Sequence, residues 1–231
     1  MDISPDDLKQ VVVFQNATSD ELQLILHNSI TRSIEESGFF FFHGDPARYL
    51  YVLTSGQVKL MQSSPNGQQV SLRIIYPWQM FGALGAVRAE ATYPASAQAL
   101  EDSTALAIKS KFLHEMLKTR PHISFDLMNL MTSYIQEMQA RYRELATERV
   151  EQRVANALIR LAGQSGTKSS KEAGIELFFS RQDVAEMTGS TLYTISRLLS
   201  EWERKGIIET GRERIKILKP HELVRIADGL E

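Results

Sequence analysis

The chain has 231 residues, of which 43% are hydrophobic and 23% are charged. Its length exceeds the roughly 100 to 150 residues of most single domains, which favours two modest domains, and its composition is typical of globular proteins. The absence of cysteine excludes disulfides, thiolate nucleophiles and cysteine-bound zinc or iron–sulfur clusters. Because the net charge is only −2, any binding of nucleic acid requires a local basic surface.

The N-terminus has the features of neither a secretion signal nor a membrane anchor. It begins MDISPDDLKQ, which is acidic and polar, whereas a signal peptide begins with basic residues and continues with an apolar segment. The chain also contains no apolar run of about 18 residues, the length that a membrane helix needs. We therefore expect a cytoplasmic protein without a membrane partner.

The first half of the chain predicts a short helical segment followed by antiparallel strands. Residues 5–30 show the apolar spacing of helices. Between 33 and 109, glycine and proline recur about every ten residues and separate runs rich in aromatic and β-branched side chains. The clearest hairpin signal is Asn66-Gly67, because glycine readily adopts the positive φ of a tight turn. Such strands should close into a small barrel or sandwich.

Residues 110–162 contain no glycine and a single proline, Pro121, and therefore predict helix. Apolar side chains recur there at spacings of three and four residues, close to a heptad repeat. We interpret this stripe as a dimerisation face; in the alternative, it packs on the preceding β-domain. The stripe consists of Leu127, Met131, Tyr134, Met138, Tyr142 and Leu145. Beyond it, GQSGTKSSKEAG at 163–174 predicts a polar loop after a helix at 148–162.

A helix-turn-helix is predicted near the C-terminus. Ser180 and Asp183 fit a capping box, in which a hydroxyl and a carboxylate satisfy the first backbone N–H groups of a helix. Gly189 ends this helix after about two turns, and Ser190 or Thr191 can cap a second helix at 191–205. The second helix should bury Leu192, Ile195, Leu198, Leu199 and Trp202 and should expose Tyr193, Thr194, Ser196, Arg197 and Ser200.

The exposed face of the second helix predicts DNA binding, because a polar and basic helix face can enter the major groove. Arg197 can donate two hydrogen bonds to guanine, and the other predicted base readers are Tyr193, Thr194 and Ser196. Two β-branched runs around Gly211 predict a hairpin wing, and seven basic against four acidic residues between 191 and 219 give a local net charge of +3. The predicted phosphate contacts are Ser180, Arg181, Thr191, Arg212, Arg214 and Lys216. In the alternative, this domain binds another protein.

Two segments together resemble one known family. SRQDVAEMTGSTLYTISRLLSEWERKGIIE resembles the helix-turn-helix of the Crp/Fnr family of bacterial regulators, and FFFFHGDPARYLYVLTSGQVKLMQSSPNGQQVSLRIIYPWQMFG resembles that family's effector domain, in the same order. The resemblance implies an α+β fold with a β-roll effector domain at 1–110, a dimerisation helix region at 111–146 and a winged helix-turn-helix at 147–231. It also implies a homodimer that reads a palindromic promoter site, with RNA polymerase as a further partner.

The resemblance assigns the base-reading positions more closely. Ser196 and Arg197 fall where the oxygen-regulator branch of the family has its base-reading serine and arginine. Tyr193 departs from the pattern, because most relatives have a glutamate there that accepts a hydrogen bond from cytosine. Tyr193 therefore leaves the sequence of the target half-site open.

The resemblance also implies an effector pocket without the chemistry for cyclic AMP. The cyclic-AMP branch binds the ribose with a glutamate and the phosphate with an Arg-Ser pair, whereas Ala83 and Tyr93-Pro94 stand at those positions. A phosphate without that arginine would be buried unpaired, so we expect no tight binding of cyclic nucleotides. The predicted pocket comprises Phe81, Gly82, Ala83, Leu84, Tyr93, Pro94, Ser96, Met131 and Tyr134.

Other effectors remain open at this point. The segment from Tyr93 to Leu100 looks closer to the oxygen-regulator and nitric-oxide-regulator branches, yet the cluster-binding cysteines of the oxygen sensors are missing, which excludes an iron–sulfur cluster. Haem is possible, and an unknown small molecule or gas in an apolar pocket beside the long helix is the alternative. Candidate axial ligands of haem are His27, His43, His114, His122 and Met80, although solvated or structural histidines are more common than iron ligands.

Two other classes of function compete with DNA binding. An enzyme is not expected, because the chain contains no HExxH, Walker or GxGxxG motif and no Ser-His-Asp order. The second class is a ligand-sensing or protein-interaction module of the cyclic-nucleotide type without operator binding. A winged helix is absent from such modules, so the C-terminal region favours the transcription regulator.

Overall fold

A computed structural model describes residues 3–64, 66–67, 69–88, 90–164 and 174–230. Two compact units are formed, one of Met1–Gln68 with Leu72–Glu137 and the other of Gln69–Ser71 with Met138–Glu231. The fold mixes helices with antiparallel sheets, as predicted. In the described part of the chain, no helix is long and apolar enough to cross a membrane.

The first unit is built on two four-stranded sheets of short strands. Its strands are β1 (Ser29–Ile34), β2 (Phe39–Phe41), β3 (Tyr49–Ser55), β4 (Val58–Ser63), β5 (Gln69–Ile75), β6 (Met80–Phe81), β7 (Ser96–Ala99) and β8 (Ser103–Lys109). One sheet has the order β1-β8-β3-β6 and is antiparallel throughout, and the other has the order β2-β7-β4-β5. The predicted small β-domain is confirmed.

Among the described residues, two 3-10 helices (Asp6–Gln10 and Val12–Phe14) and four α-helices accompany these sheets: α1 (Ser19–His27), α2 (Leu84–Val87), α3 (Ser110–Thr119) and α4 (Pro121–Thr147). Helix α4 continues into the second unit from Met138 onwards. Thr18 and Glu21 form a capping box that fixes the start of α1. Pro121 begins α4, where its missing N–H costs no hydrogen bond and its fixed φ suits a first helical residue. Glu21 also accepts from Arg120 at 2.7 Å and pairs with His122 at 3.1 Å, so α1 is tied to the start of α4.

The predicted stripe on α4 divides along the length of the helix: its first half packs on the β-domain and its second half is exposed, which narrows the sequence interpretation. Leu127 is buried in the core of the first unit, with Met131 packed against that core. Tyr134 lies under the guanidinium of Arg73, 3.8 Å from the ring centroid, and Arg73 forms an ion pair with Glu137 at 3.1 Å. These three members of the stripe therefore contact their own β-domain. The exposed apolar residues of α4 are Phe125, Met128, Ile135, Met138, Tyr142 and Leu145.

In its described residues, 174–230 and those up to 164, the second unit contains four further helices and a three-stranded sheet. Its helices are α5 (Val150–Gln164), α6 (Arg181–Thr188), α7 (Leu192–Arg204) and α8 (Pro220–Ala227), and its strands are β9 (Ile175–Leu177), β10 (Ile208–Gly211) and β11 (Arg214–Ile217). The sheet has the order β10-β11-β9 and is antiparallel. The predicted hairpin wing is confirmed, and β9 adds a strand that the sequence did not predict. The predicted loop at 163–174 falls mainly outside the described residues, while Gly163 and Gln164 belong to α5.

Candidate DNA-binding surface

Three residues set the two ends of α6 and thereby the turn to α7. The Ser180 hydroxyl accepts a hydrogen bond from the Asp183 N–H at 3.1 Å, and the Asp183 carboxylate accepts from the Ser180 N–H at 3.0 Å. This capping box starts α6 as predicted. Gly189 ends the helix with a φ of 61°, a left-handed conformation that glycine adopts without strain. A Cβ at this position would also lie 3.2 Å from the Leu145 side chain, which is a second reason for glycine in the turn.

Helix α7 buries one face and exposes the other. Thr191 caps the helix by accepting from the Thr194 N–H at 3.2 Å, and the inward face consists of Ile195, Leu198, Leu199 and Trp202. The sequence pattern places Leu192 on this face as well, but Leu192 is 48% exposed. It is the first residue of the helix, and the buried face begins one turn later, at Ile195.

The predicted base readers lie together on the outer face of α7. Tyr193 is 78% exposed and Arg197 is also exposed, while Thr194 and Ser196 are half-buried. Arg197 and Thr194 also line a groove of about 320 Å³ with Arg149, which directly precedes α5. Sequence reasoning missed Arg149, because it lies far from α7 along the chain. Two carboxylates, Glu151 and Glu201, line the same groove, so α7 has a polar, charged outer surface beside its buried apolar one.

Of the predicted phosphate contacts, those around α6 are occupied by bonds within the domain. The Ser180 hydroxyl donates to Asp183 at 2.6 Å, and Arg181 donates to the Thr210 hydroxyl of β10 at 3.1 Å. Thr210 in turn donates to Glu203 of α7 through its N–H and its hydroxyl, which lowers the pKa of the Glu203 carboxyl. These bonds fix the wing against α6 and α7.

The predicted phosphate contacts of the wing have carboxylates as neighbours. Arg214 forms ion pairs with Glu176 at 2.8 Å and with Glu209 at 3.6 Å. Lys216 lies directly opposite the same two glutamates in the register of the sheet. Arg212 lies exposed between β10 and β11. The charge count alone predicted a basic wing, whereas in the structure Arg214 is paired with two carboxylates and Lys216 lies opposite the same two.

Two stretches of the chain match known domain families. Residues 152–226 match the Crp-like helix-turn-helix domain, and residues 31–120 match the cyclic nucleotide-binding domain. The chain belongs to the Crp/Fnr family of transcription regulators. As a Crp/Fnr-type regulator, it binds DNA through the helix-turn-helix that α6 and α7 form.

Relatives of the chain include regulators of different kinds. The anaerobic regulatory protein of Bacillus subtilis (strain 168) is 26% identical over 90% of this chain and 87% of its own length. The cyclic AMP receptor protein of Thermus thermophilus is also 26% identical, over 96% and 100%. A solved CRP-family regulator from the same organism is 25% identical with a TM-score of 0.71, covering 85% of this chain and 96% of that one. The anaerobic regulator and the cyclic AMP receptor are equally similar to this chain, so sequence identity does not assign it to one branch of the family. Its placement near the oxygen-regulator and nitric-oxide-regulator branches stays a prediction.

The effector domain of this Crp/Fnr regulator is filled by aromatic side chains at two positions of the predicted pocket. The Tyr93 ring stacks on Phe41 with centroids 3.7 Å apart, and its hydroxyl donates to the Tyr49 carbonyl at 2.7 Å. Phe81 stacks on Tyr51 with centroids 5.0 Å apart. Phe81 and Tyr93 are each only 2% exposed, and burial raises the pKa of the Tyr93 hydroxyl. Both side chains therefore lie in the aromatic core of this domain, and their role in effector binding stays a prediction.

The other predicted pocket residues are spread around this core. Gly82 has a φ of 73°, and a Cβ there would lie 3.0 Å from the Tyr93 ring. Leu84 is exposed on α2, Ala83 is half-buried, and Ser96 accepts from the His43 N–H at 2.9 Å. The Pro94 carbonyl accepts from Gln62 at 2.6 Å. Tyr134 is covered by Arg73, as described above, and Met131 lines a different cavity.

That cavity lies between α2, α3 and α4 and has a volume of about 300 Å³. Its lining is largely apolar and includes Val87, Leu117, Leu127, Met128 and Met131, with His114 and Lys118 as polar members. The volume is at the lower end of the range for ligand sites, roughly 300 to 1,000 Å³. It is therefore large enough for a small apolar molecule.

Proposed function

We propose that this Crp/Fnr regulator acts in the cytoplasm as a homodimer that sets two α7 helices into successive major grooves of a palindromic promoter site. RNA polymerase is the further partner in this proposal, and catalysis has no part in it. The observation that carries the proposal is the outer face of α7, where exposed Tyr193 and Arg197 flank half-buried Ser196. An arginine on such a face can donate two hydrogen bonds to the O6 and N7 acceptors of guanine in the major groove.

In this proposal, each of the three regions predicted from the sequence has its own role. Residues 1–110 sense the effector, 111–146 pair the two protomers and 147–231 bind DNA. The beginning of α5 extends the DNA-binding surface, because Arg149 lies beside Thr194 and Arg197. Arg149 is thus a further candidate for a phosphate contact.

The dimer is supported by the exposed stripe of α4. Six large apolar side chains are between 54% and 76% exposed there: Phe125, Met128, Ile135, Met138, Tyr142 and Leu145. Monomeric soluble proteins rarely expose such a continuous apolar patch. The steps from Phe125 to Met128 and from Ile135 to Met138 and Tyr142 are those of a heptad seam. A parallel pair of α4 helices would bury this stripe and hold the two α7 helices at a fixed distance.

The proposed effector is a molecule other than a cyclic nucleotide. The charged phosphate of a cyclic nucleotide needs a cationic partner when it is buried, and Tyr93 and Pro94 supply none. The stacked rings of Phe41 and Tyr93 also occupy the interior. The apolar cavity at Met131 suits a small organic or gaseous molecule.

The candidate haem ligands give haem limited support. Met80 is only 4% exposed in the apolar core, and His122 is engaged by Glu21. His27 and His43 are exposed, which leaves His114 as the candidate that faces the apolar cavity.

Salt dependence of DNA binding distinguishes this proposal from a protein-interaction module. We expect the logarithm of affinity for a random-sequence duplex to fall linearly with the logarithm of salt concentration, because bound phosphates release counterions. The same fluorescence-anisotropy titration with added cyclic AMP should give an unchanged affinity. A flat response to salt would favour the protein-interaction module, and a clear gain with cyclic AMP would contradict the proposed effector class.

A further inference from the structure

The outer face of the wing alternates cations with carboxylates. On β11, Lys216 lies directly between Glu209 of β10 and Glu176 of β9. Directly opposed residues of neighbouring strands hold their side chains on the same face of a sheet, with Cβ atoms about 5 Å apart. Arg214, two residues earlier on β11, therefore shares this face and pairs with both glutamates.

The charges on this face cancel. Two cations, Arg214 and Lys216, stand against two carboxylates, Glu176 and Glu209, so the net charge of these four residues is zero. Arg214, Glu176 and Glu209 are each 40% to 52% exposed in their side chains. Exposed ion pairs contribute little to stability, so Arg214 can leave its partners at little cost. Its departure towards a phosphate would leave the two carboxylates with Lys216 alone, and the remaining net negative charge near the DNA backbone would offset the attraction.

The wing has little freedom to present a different face. The Thr210 side chain lies on the opposite face of the sheet, beside buried Ile215 in the register. It is bonded to Arg181 of α6 and Glu203 of α7. These bonds hold the wing in one orientation, so the neutral face keeps its relation to α7.

We propose that Glu176 and Glu209 neutralise the wing and thereby keep the affinity for random DNA low, so that discrimination of the promoter site rests on α7. The two glutamates act as specificity-determining residues because they restrain a contact that every DNA sequence offers equally. This inference rests on the DNA-binding function. It replaces the sequence-based expectation that Arg214 and Lys216 act as simple phosphate contacts.

The test is the double variant Glu176→Gln/Glu209→Gln, measured by anisotropy on a random-sequence duplex and on a duplex that the wild-type protein enriches from a random pool. Glutamine keeps the size and a hydrogen-bonding oxygen for Arg214 while it removes the charge. We expect affinity for the random duplex to rise about tenfold, with the salt slope steeper by about 0.9 for each phosphate gained. Affinity for the enriched duplex should rise less, so the specificity ratio falls.

Two further variants make the result decisive. Arg214→Gln should change the affinity of the wild-type protein by no more than about twofold, but it should reverse much of the gain in the double variant. Glu222→Gln/Asp228→Asn at α8 removes the same charge from the same domain away from the wing and should leave both affinities unchanged. Unchanged affinity and slope in the wing variant, with a normal salt slope in the wild type, would overturn this inference alone. A wild type without any salt slope would overturn the DNA-binding function as well.

Discussion

Ile135→Asp is expected to convert the protein to a monomer and to weaken binding to the enriched duplex at least about a hundredfold. Ile135 is 57% exposed in the middle of the apolar stripe of α4. Burial of such a side chain contributes roughly 1.5 to 3 kcal/mol, and two carboxylates facing each other across a seam would be buried without partners. The loss exceeds the roughly 2.7 kcal/mol that a hundredfold change represents. Sedimentation equilibrium measures the mass directly.

Ser133→Asp is the matched control. Ser133 lies on the same helix, is exposed, and points away from the apolar stripe by helical phase, so the same charge there should leave the dimer intact. If Ile135→Asp stayed dimeric with unchanged DNA binding, α4 would not be the dimer interface. Thermal unfolding of both variants shows that the comparison concerns folded protein.

Arg197→Ala is expected to weaken binding to the enriched duplex by about 1 to 3 kcal/mol, or roughly 5- to 150-fold, and to relax the preference at one base pair of each half-site. Arg197 is exposed on α7, one turn after Tyr193, and the bidentate contact to guanine is the property that alanine removes. Affinity for the random duplex should fall much less, because on DNA of random sequence Arg197 contributes at most one contact to a phosphate. Anisotropy titrations on both duplexes measure the two losses.

Arg225→Ala serves as the control for the loss of a positive charge. Arg225 is exposed on α8, where it forms an i,i+3 pair with Glu222 at 3.5 Å. Its removal should leave both affinities nearly unchanged. Equal losses for Arg197→Ala on the enriched and the random duplex would contradict a base-reading role for this arginine.

The helix-turn-helix could be predicted because its signals are local. Ser180 and Asp183 are three residues apart, and Gly189 follows the helix that they start, so spacing alone indicated both ends of α6. The error at Leu192 has a physical reason. Helical periodicity predicts which residues share a face, but it does not say where along the helix the covering elements begin.

The long helix shows a second limit of periodicity. Leu127, Met131 and Tyr134 continue the same stripe as Met138, Tyr142 and Leu145, and no feature of α4 itself separates the two sets. The separation depends on residues distant in sequence, such as Arg73 of β5, which covers Tyr134. One heptad pattern can thus include residues that pack on the helix's own domain and, further along the same helix, residues that are exposed.

The interior of the effector domain and the wing could not be predicted from the sequence for the same reason. Phe41 and Tyr93 stack on each other, yet their separation along the chain gives no periodic signal. Strand β9 has only three residues, and its Glu176 meets Arg214 only once the sheet has formed. In both places the sequence indicated which chemical groups are present or missing, but it did not indicate which side chains they contact.

The central claim, that two α7 helices act as one pair on DNA, is tested most directly by a change in half-site spacing. The enriched palindromic duplex is compared with the same duplex after insertion of five base pairs between its half-sites, which is about half a turn and rotates one half-site to the opposite side of the helix. We expect the insertion to weaken binding at least about a hundredfold, because a dimer then contacts only one half-site. Equal affinity for the two duplexes would contradict the account.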